Sequence, residues 1–315
     1  MGKIILTGAS GNFGRHCAKT LIEIVDKGDI ILTSSKVEKL AEFAEQGIEC
    51  REANFNHPEQ LEQAFAGGDT LIMVSLAVVG EKRRKMQTAA LLAAKAAGIR
   101  RIVYTSVAGV DRLGNPSYET VDHFYTENLI KALGFKYVFL RNTQFAEAMV
   151  SYVQSAVTMG GISSSNQGDA LMAYVSRKDC AEAAAFAAAG NYDDQIFYIT
   201  GPEAMTLQQF CDIIAPAFGD TKVTVQTVTD EETYAAFDAI GVPRTTDGEW
   251  LTEEAKNAPY TSTGMVTFAI AVREGYMDAC CDDFVKLTGR PQRTVADMAA
   301  NVNEYLVGGR NATED

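Results

Sequence analysis

Lys3-Ile4-Ile5-Leu6-Thr7-Gly8-Ala9-Ser10-Gly11-Asn12-Phe13-Gly14 runs from an apolar strand through a glycine-rich turn into a helix, roughly Asn12 to Ile24. The glycine spacing has a physical cause. Gly8 permits the tight turn, Gly11 lets backbone N–H groups approach a pyrophosphate, and Gly14 lets the helix pack closely on its strand. The N-terminus of that helix then offers free N–H groups and the positive end of a dipole to phosphates. The stretch predicts a nucleotide-binding strand–turn–helix, with a structural turn as the plainer alternative.

Outward from it, apolar runs recur at 30–33, 48–53, 70–75, 102–105 and 137–140. Helical stretches are expected between them, at 37–46, 58–66, 84–97 and about 121–133, several ending at a glycine such as Gly47, Gly98 or Gly134. Repeated strand–helix–strand units imply right-handed crossovers and an α/β fold built on a doubly wound parallel sheet. Ligands to such sheets gather at the carboxyl ends of the strands. Here those ends are Ser34-Ser35, Asn54-Phe55, Ser75-Leu76, Thr105-Ser106 and Asn142-Thr143, small or polar as a cofactor groove requires.

Past Arg141 the pattern changes. A helix over 145–159 leads into a Gly/Ser-rich loop, 160–165; an alanine-rich helix over 179–189 and the run 196–200 return to the main sheet. Beyond Gly201 the chain reads as mostly helical, apart from a strand over 222–228. The expected division is a dinucleotide-binding domain of residues 1–150 and 177–200, a smaller substrate-side lobe of 151–176 and 201–310, and a loose tail at 311–315.

Composition narrows the partners. The formal net charge of −13 over 315 residues argues against nucleic acid or anionic membrane as the main partner, since both demand a basic face. No run approaches the roughly 18 apolar residues of a membrane span. The six cysteines form no CxxC pair and the three histidines are scattered, so no metal centre is expected. A reducing, cytoplasmic compartment follows as the expectation, with no leader before the first strand. Adjacent Cys280 and Cys281 read as a buried helical pair or, alternatively, a redox-sensing one.

The tip of the second strand selects the nucleotide. A reader of the ribose 2′-hydroxyl places Asp or Glu there, whereas this chain has Thr33-Ser34-Ser35-Lys36. Two hydroxyls and a lysine suit a 2′-phosphate, so NADP(H) is expected over NAD(H). Lys36 as a solvated helix-start residue is the alternative.

Several segments stand in family order: Thr7–Gly14 with Phe13, Ala94-Lys95-Ala96-Ala97-Gly98, Tyr104-Thr105-Ser106, Leu140-Arg141-Asn142, Tyr174 through Asp179, and Thr200-Gly201-Pro202-Glu203-Ala204. As a set they resemble the NmrA-like atypical short-chain dehydrogenase/reductase family, in particular its quinone-oxidoreductase-like branch. The resemblance covers nearly the whole chain. It implies a Rossmann-type sheet, NADP(H) in the groove and a smaller, mostly helical C-terminal lobe forming the substrate pocket. By similarity, cofactor contacts fall on Gly8, Ala9, Ser10, Gly11, Asn12, Phe13 and Gly14, on Ser34, Ser35 and Lys36, and on Asn54 and Phe55. They continue on Ser75 and Leu76, on Thr105, Ser106 and Val107, and on Asn142, Thr143 and Phe145.

The usual Tyr-x-x-x-Lys pair is missing: Tyr118 is followed by Asp122 and Tyr125 by Leu129. The helix instead carries His123, where isoflavone-reductase-like relatives have a working lysine and quinone-reductase-like ones a histidine. His123 is therefore the candidate catalytic residue, as ribose contact or proton donor. Asn128 stands where the quinone branch continues with lysine. Tyr125 and Tyr174 are candidate substrate contacts, with packing as the alternative for both. The basic run 82–85 reads as a solvated face or a phosphate aid. Without a strong general acid, the expected substrate is an aromatic or conjugated carbonyl acceptor that takes hydride readily. The alternatives are a non-catalytic NADP-binding redox sensor and a lignan- or isoflavone-type reductase. A homodimer is compatible with either.

Overall fold

The computed structural model describes residues 2–307; the expected loose tail lies outside them. In chain order the first half comprises β1 (Lys3–Leu6), α1 (Asn12–Ile24), β2 (Ile30–Ser34), α2 (Ala41–Ala44), β3 (Glu49–Glu52), α3 (Leu61–Phe65), β4 (Gly68–Met73), α4 (Glu81–Ala96), β5 (Arg101–Val107), α5 (Tyr118–Ala132) and β6 (Lys136–Asn142). The second half comprises α6 (Ala146–Thr158), β7 (Ile162–Ser165), α7 (Arg177–Ala189), β8 (Gln195–Ile199), α8 (Leu207–Ile214), β9 (Thr224–Thr227), α9 (Asp230–Ala239), α10 (Glu253–Lys256), α11 (Ser262–Arg273), α12 (Asp283–Thr288) and α13 (Val295–Ala300).

Seven strands form one parallel sheet in the order β3-β2-β1-β4-β5-β6-β8. The order reverses between β1 and β4, so the crevice above β1 is the switch point where doubly wound sheets take ligands. The alternation of strand side chains supplies two cores. Ile4, Leu6, Ile30, Leu32, Val103 and Leu140 pack under α1 and α7; Ile5, Leu71, Ile102, Tyr104 and Phe139 pack under α3, α4 and α5. Alanines of α7 bring its backbone close to α1 and to the sheet. A third core, around Val150, Tyr174, Phe210, Ile214 and Met298, joins α6, α8, α13 and the segment before α7. Helix α12 lies in the C-terminal segment yet packs Phe284 and Leu287 into the core under α7.

Three local expectations change. The Gly/Ser-rich 160–165 stretch carries the short strand β7, because β9 offers it a parallel ladder and Gly160 and Gly161, at φ +95° and +87°, make the turn into it. Helix α4 begins at Glu81 rather than near 84. Its first N–H groups are capped from afar, Gly80 N–H donating to Asp122 (2.7 Å) and Glu81 N–H to Asp247 (2.7 Å). Cys280 and Cys281 lie in a loop between α11 and α12, with Cys280 exposed, so they are not a buried helical pair. Burial raises both thiols above their ordinary range, which disfavours the thiolate. All six cysteines are free. Among the described residues no helix is long and apolar enough to cross a membrane and no group of side chains could hold a metal ion.

Candidate active site

The glycine turn sits at the switch point. Gly8 has φ +61°, and a Cβ on Gly14 would lie 2.0 Å from the Gly8 carbonyl oxygen. Only glycine allows the helix to approach the turn so closely. Thr7 N–H donates to Ile72 O (3.0 Å) and Ala9 N–H to Thr33 O (2.9 Å), fixing the turn between its flanking strands. Helix α1 begins with no side-chain cap and no acidic residue in its first turn. An open, uncapped N-terminus of this kind suits a pyrophosphate.

At the tip of β2, Ser34 Oγ meets Ser10 Oγ (2.7 Å) and accepts Lys36 N–H (3.0 Å), so Ser34 builds the turn. Half-buried Ser35 and Lys36 remain for a ligand. Arg15 joins them. Its Nε donates to Ser10 O (3.2 Å), its Nη2 donates to Lys39 O (2.7 Å), and its guanidinium pairs with Glu42. Sequence reasoning missed Arg15, although a cation directly after Gly14 in a chain lacking an acid at the β2 tip was a usable signal. Replacing Arg15 or Lys36 by Ala is expected to raise the KM for NADPH roughly 10- to 100-fold, the weight of one charge-assisted contact, and to leave that for NADH nearly unchanged. Steady-state kinetics with both cofactors check this.

The other strand tips divide into scaffold and unspent groups. Asn54 Oδ1 accepts Asn56 N–H (3.0 Å) and the Phe55 ring is buried in the core, so this segment offers a cofactor its backbone rather than its side chains. Val74 N–H donates to Thr7 Oγ1 (3.0 Å) and Ser75 N–H to Thr105 Oγ1 (2.8 Å), which ties β4 to its neighbours on both sides. Leu76 packs partly into the core. Ser106 Oγ donates to Glu127 Oε1 (2.7 Å) and is committed away from a ligand, while Val107 is half-buried. Thr143 Oγ1 donates to Ala173 O, and Phe145 bridges to Val175 with Arg177 over its ring. Asn142 is different: its Oδ1 is buried without a hydrogen-bond partner. An orphaned acceptor at a strand tip costs free energy until something donates to it, and a cofactor carboxamide has the chemistry to do so. The uncapped α1, the Gly8–Gly14 cradle and this acceptor together fit a dinucleotide.

His123 does not stand free at the groove. It is 5% exposed, with Nε2 2.8 Å from Arg83 Nη2 and Nδ1 3.1 Å from Tyr104 Oη. A guanidinium only donates, so Nε2 accepts and the proton sits on Nδ1. Burial first, and the Arg83 charge second, hold His123 well below the usual imidazole range. Both ring nitrogens are engaged by neighbouring side chains and burial disfavours the imidazolium, so the ring offers no free donor toward the strand tips. The sign of the resulting pH dependence is definite. The unfolded chain takes a proton on this imidazole near pH 6.5, and the folded chain does not until lower pH. Stability that is complete above pH 6.5 is therefore expected to fall below it, by up to about 1.4 kcal/mol per pH unit from this group. Denaturation of wild type and His123→Gln across pH 5 to 7 checks it; the variant should lack that slope.

The tyrosines are also reassigned. Tyr174 is 1% exposed, packs against Phe210 with the rings tilted by 53° at 4.6 Å between centroids, and is held by the third core. Tyr125 lies on the exposed face of α5, its Oη 2.9 Å from Thr88 Oγ1, lining a surface groove of about 380 Å³ with Arg84, Lys85 and Leu92. Neither joins the strand tips. The basic run is spent internally: Lys82 on Asn257, Arg83 on His123, Arg84 on Asp122 and Asp247, Lys85 on Glu81. Tyr118, which begins α5, donates to Asp247; burial and that carboxylate push its phenol up to about 12.

Known proteins resemble this chain in sequence and fold. A family model described as NAD(P)H-binding matches residues 8–189. The chain is 29% identical over 241 residues to quinone oxidoreductase 2 of Escherichia coli (strain K12), covering 76% of this chain and 82% of that protein. The crystal structure of the NADPH-dependent quinone oxidoreductase from Escherichia coli complexed with NADPH superposes with a TM-score of 0.83 at 25% identity, over 95% of this chain and 99% of the other. That of Citrobacter sp. triphenylmethane reductase complexed with NADP(H) gives 0.78 at 25% identity, with the same coverage. The resemblance drawn from the sequence motifs is met by these relatives.

Proposed function

This chain belongs to the NAD(P)H-binding family and is an oxidoreductase related to the reductases just described; we propose that it uses NADP(H) to reduce a quinone or another activated conjugated carbonyl compound. The observation that carries the substrate class is the neutral, enclosed His123, in a chain without the Tyr-x-x-x-Lys pair. A reductase without a strong protein acid suits an acceptor whose reduced form holds its negative charge until water protonates it. The nicotinamide, when bound, supplies the hydride.

The chain's own residues do the rest. The N–H groups of Asn12, Phe13 and Gly14 are suited to hold the pyrophosphate, Arg15, Ser35 and Lys36 to hold the 2′-phosphate, and Asn142 to orient the carboxamide. Thr7 and Thr105 fix the β4 tip between them, so that the floor of the groove does not depend on the ligand. The names of the relatives support the acceptor class; the absence of a carboxylate in the sequence at the β2 tip supports the phosphate. Turnover of NADPH with a quinone, many-fold above turnover with NADH, is the expected result. Tight NADPH binding with no turnover on any acceptor would replace this reading with that of a redox sensor.

A further inference from the structure

Residues 245–261 form a loop whose two ends are pinned side by side: Ser262 N–H donates to Pro243 O (2.9 Å) and Thr263 N–H to Arg244 O (3.3 Å). The preceding helix α9 is fastened separately, Asp230 pairing with Arg273 (2.9 Å) and accepting from Asn166 (2.8 Å). Between these anchors the chain has almost no core. Neither α9 nor α10 buries a residue, and from 229 to 260 Thr246 alone is buried. A loop this long with its ends together and so little packing is ordered by the few contacts its residues make with the rest of the chain.

The residues just past the first pinned end, Thr246 and Asp247, and Asn257 further along touch the dinucleotide-binding domain at the start of α4. Thr246 Oγ1 donates to Val79 O (3.1 Å); Asp247 accepts Glu81 N–H (2.7 Å) through one oxygen and the Tyr118 hydroxyl through the other. Arg84 lies 3.6 Å from the same carboxylate, and Lys82 reaches Asn257. Gly80, at φ +79°, is shaped for this contact: a Cβ there would stand 2.5 Å from Asp247 Oδ1 and 2.7 Å from Thr246 Oγ1. One aspartate thus replaces a cap on α4 and joins two helices of one domain to a loop of the other.

We propose that residues 245–261 are a lid, hinged where its ends are pinned and latched by Asp247 onto α4 and Tyr118, which opens to admit the acceptor and release product. The gating role rests on the reductase reading; the latch does not. The molecule carries its own reporter, since Trp250, the only tryptophan in the chain, sits in the loop at 79% exposure. Lys256 offers trypsin a cut site in the same loop.

The test compares wild type, Asp247→Ala and Tyr118→Phe in two assays that need no substrate, tryptic cleavage at Lys256 and Trp250 fluorescence anisotropy. Steady-state kinetics with a quinone follow. Asp247→Ala should speed cleavage at least about tenfold and lower the anisotropy, and Tyr118→Phe, which keeps the ring, should do so by several-fold. The KM for the quinone should rise several-fold while that for NADPH stays put. Cleavage and anisotropy unchanged in both variants overturn the latch. Faster cleavage with an unchanged quinone KM overturns the gate. A responsive loop in a protein that turns over no acceptor instead removes the reductase reading and leaves the latch standing.

Discussion

Arg141→Met is expected to lower stability by about 3–5 kcal/mol, the usual consequence of removing one partner from a buried ion pair. Arg141 Nε and Nη2 donate to the two oxygens of Glu127 (3.1 and 2.9 Å), and the two side chains are 5% and 4% exposed. Its Nη1 also donates to Tyr198 Oη (2.9 Å) and pairs with Asp111 (2.6 Å). Methionine fills much of the volume and leaves the Glu127 carboxylate with only Ser106 to satisfy it. The double variant Glu127→Gln/Arg141→Met should recover a large part of the loss, because a well-packed neutral pair avoids the stranded charge. Urea unfolding of the two variants measures both. A loss below about 1 kcal/mol for Arg141→Met, within the range of a surface pair, would show that the pair is solvated. This network also braces the site: it ties β5, β6, β8 and α5 together directly beneath Asn142.

Gly14→Ala should be the most damaging single methyl group in the chain. Its Cβ would stand 2.0 Å from the Gly8 carbonyl oxygen and 2.6 Å from the Ala9 Cα, both backbone atoms that no side-chain rotation can clear. Helix α1 must then move off the turn. Overpacking of this kind costs about 1–3 kcal/mol of stability. The larger effect is expected on the cofactor, because the displaced atoms include the N–H groups proposed to hold the pyrophosphate. NADPH affinity should drop by at least about 100-fold, equivalent to about 2.7 kcal/mol. Titration of NADPH fluorescence on a variant first shown to be folded decides it; affinity within a few-fold of wild type would mean that the turn does not hold the phosphates.

Much of the fold was legible because it is written locally. The Lys3–Gly14 stretch specifies a strand, a turn and a helix within a dozen neighbours, and the apolar runs at 30–33 and 102–105 lie wholly inside β2 and β5. What escaped was set by distant partners. The start of α4 depends on carboxylates from residues 122 and 247, and β7 exists because β9 lies alongside it. The site divides the same way. The tight turn at Gly8 and the close approach at Gly14 could be read from spacing. The setting of His123 could not, since its lowered basicity comes from burial beside Tyr104 and from Arg83, forty positions away in the chain. The placement of Tyr174 in a core and of Tyr125 on the outer face of α5 escaped for a related reason: a sequence gives a side chain's chemistry but not which side of a helix or core receives it.

The most direct test of the central claim sets two acceptors of similar size side by side, a quinone and an unactivated ketone, and follows NADPH oxidation by the wild-type protein with each. Hydride transfer to an acceptor needing no protein acid predicts steady turnover on the quinone and none measurable on the ketone, unaltered in His123→Gln. Comparable rates on both acceptors, or loss of quinone turnover in that variant, would contradict it.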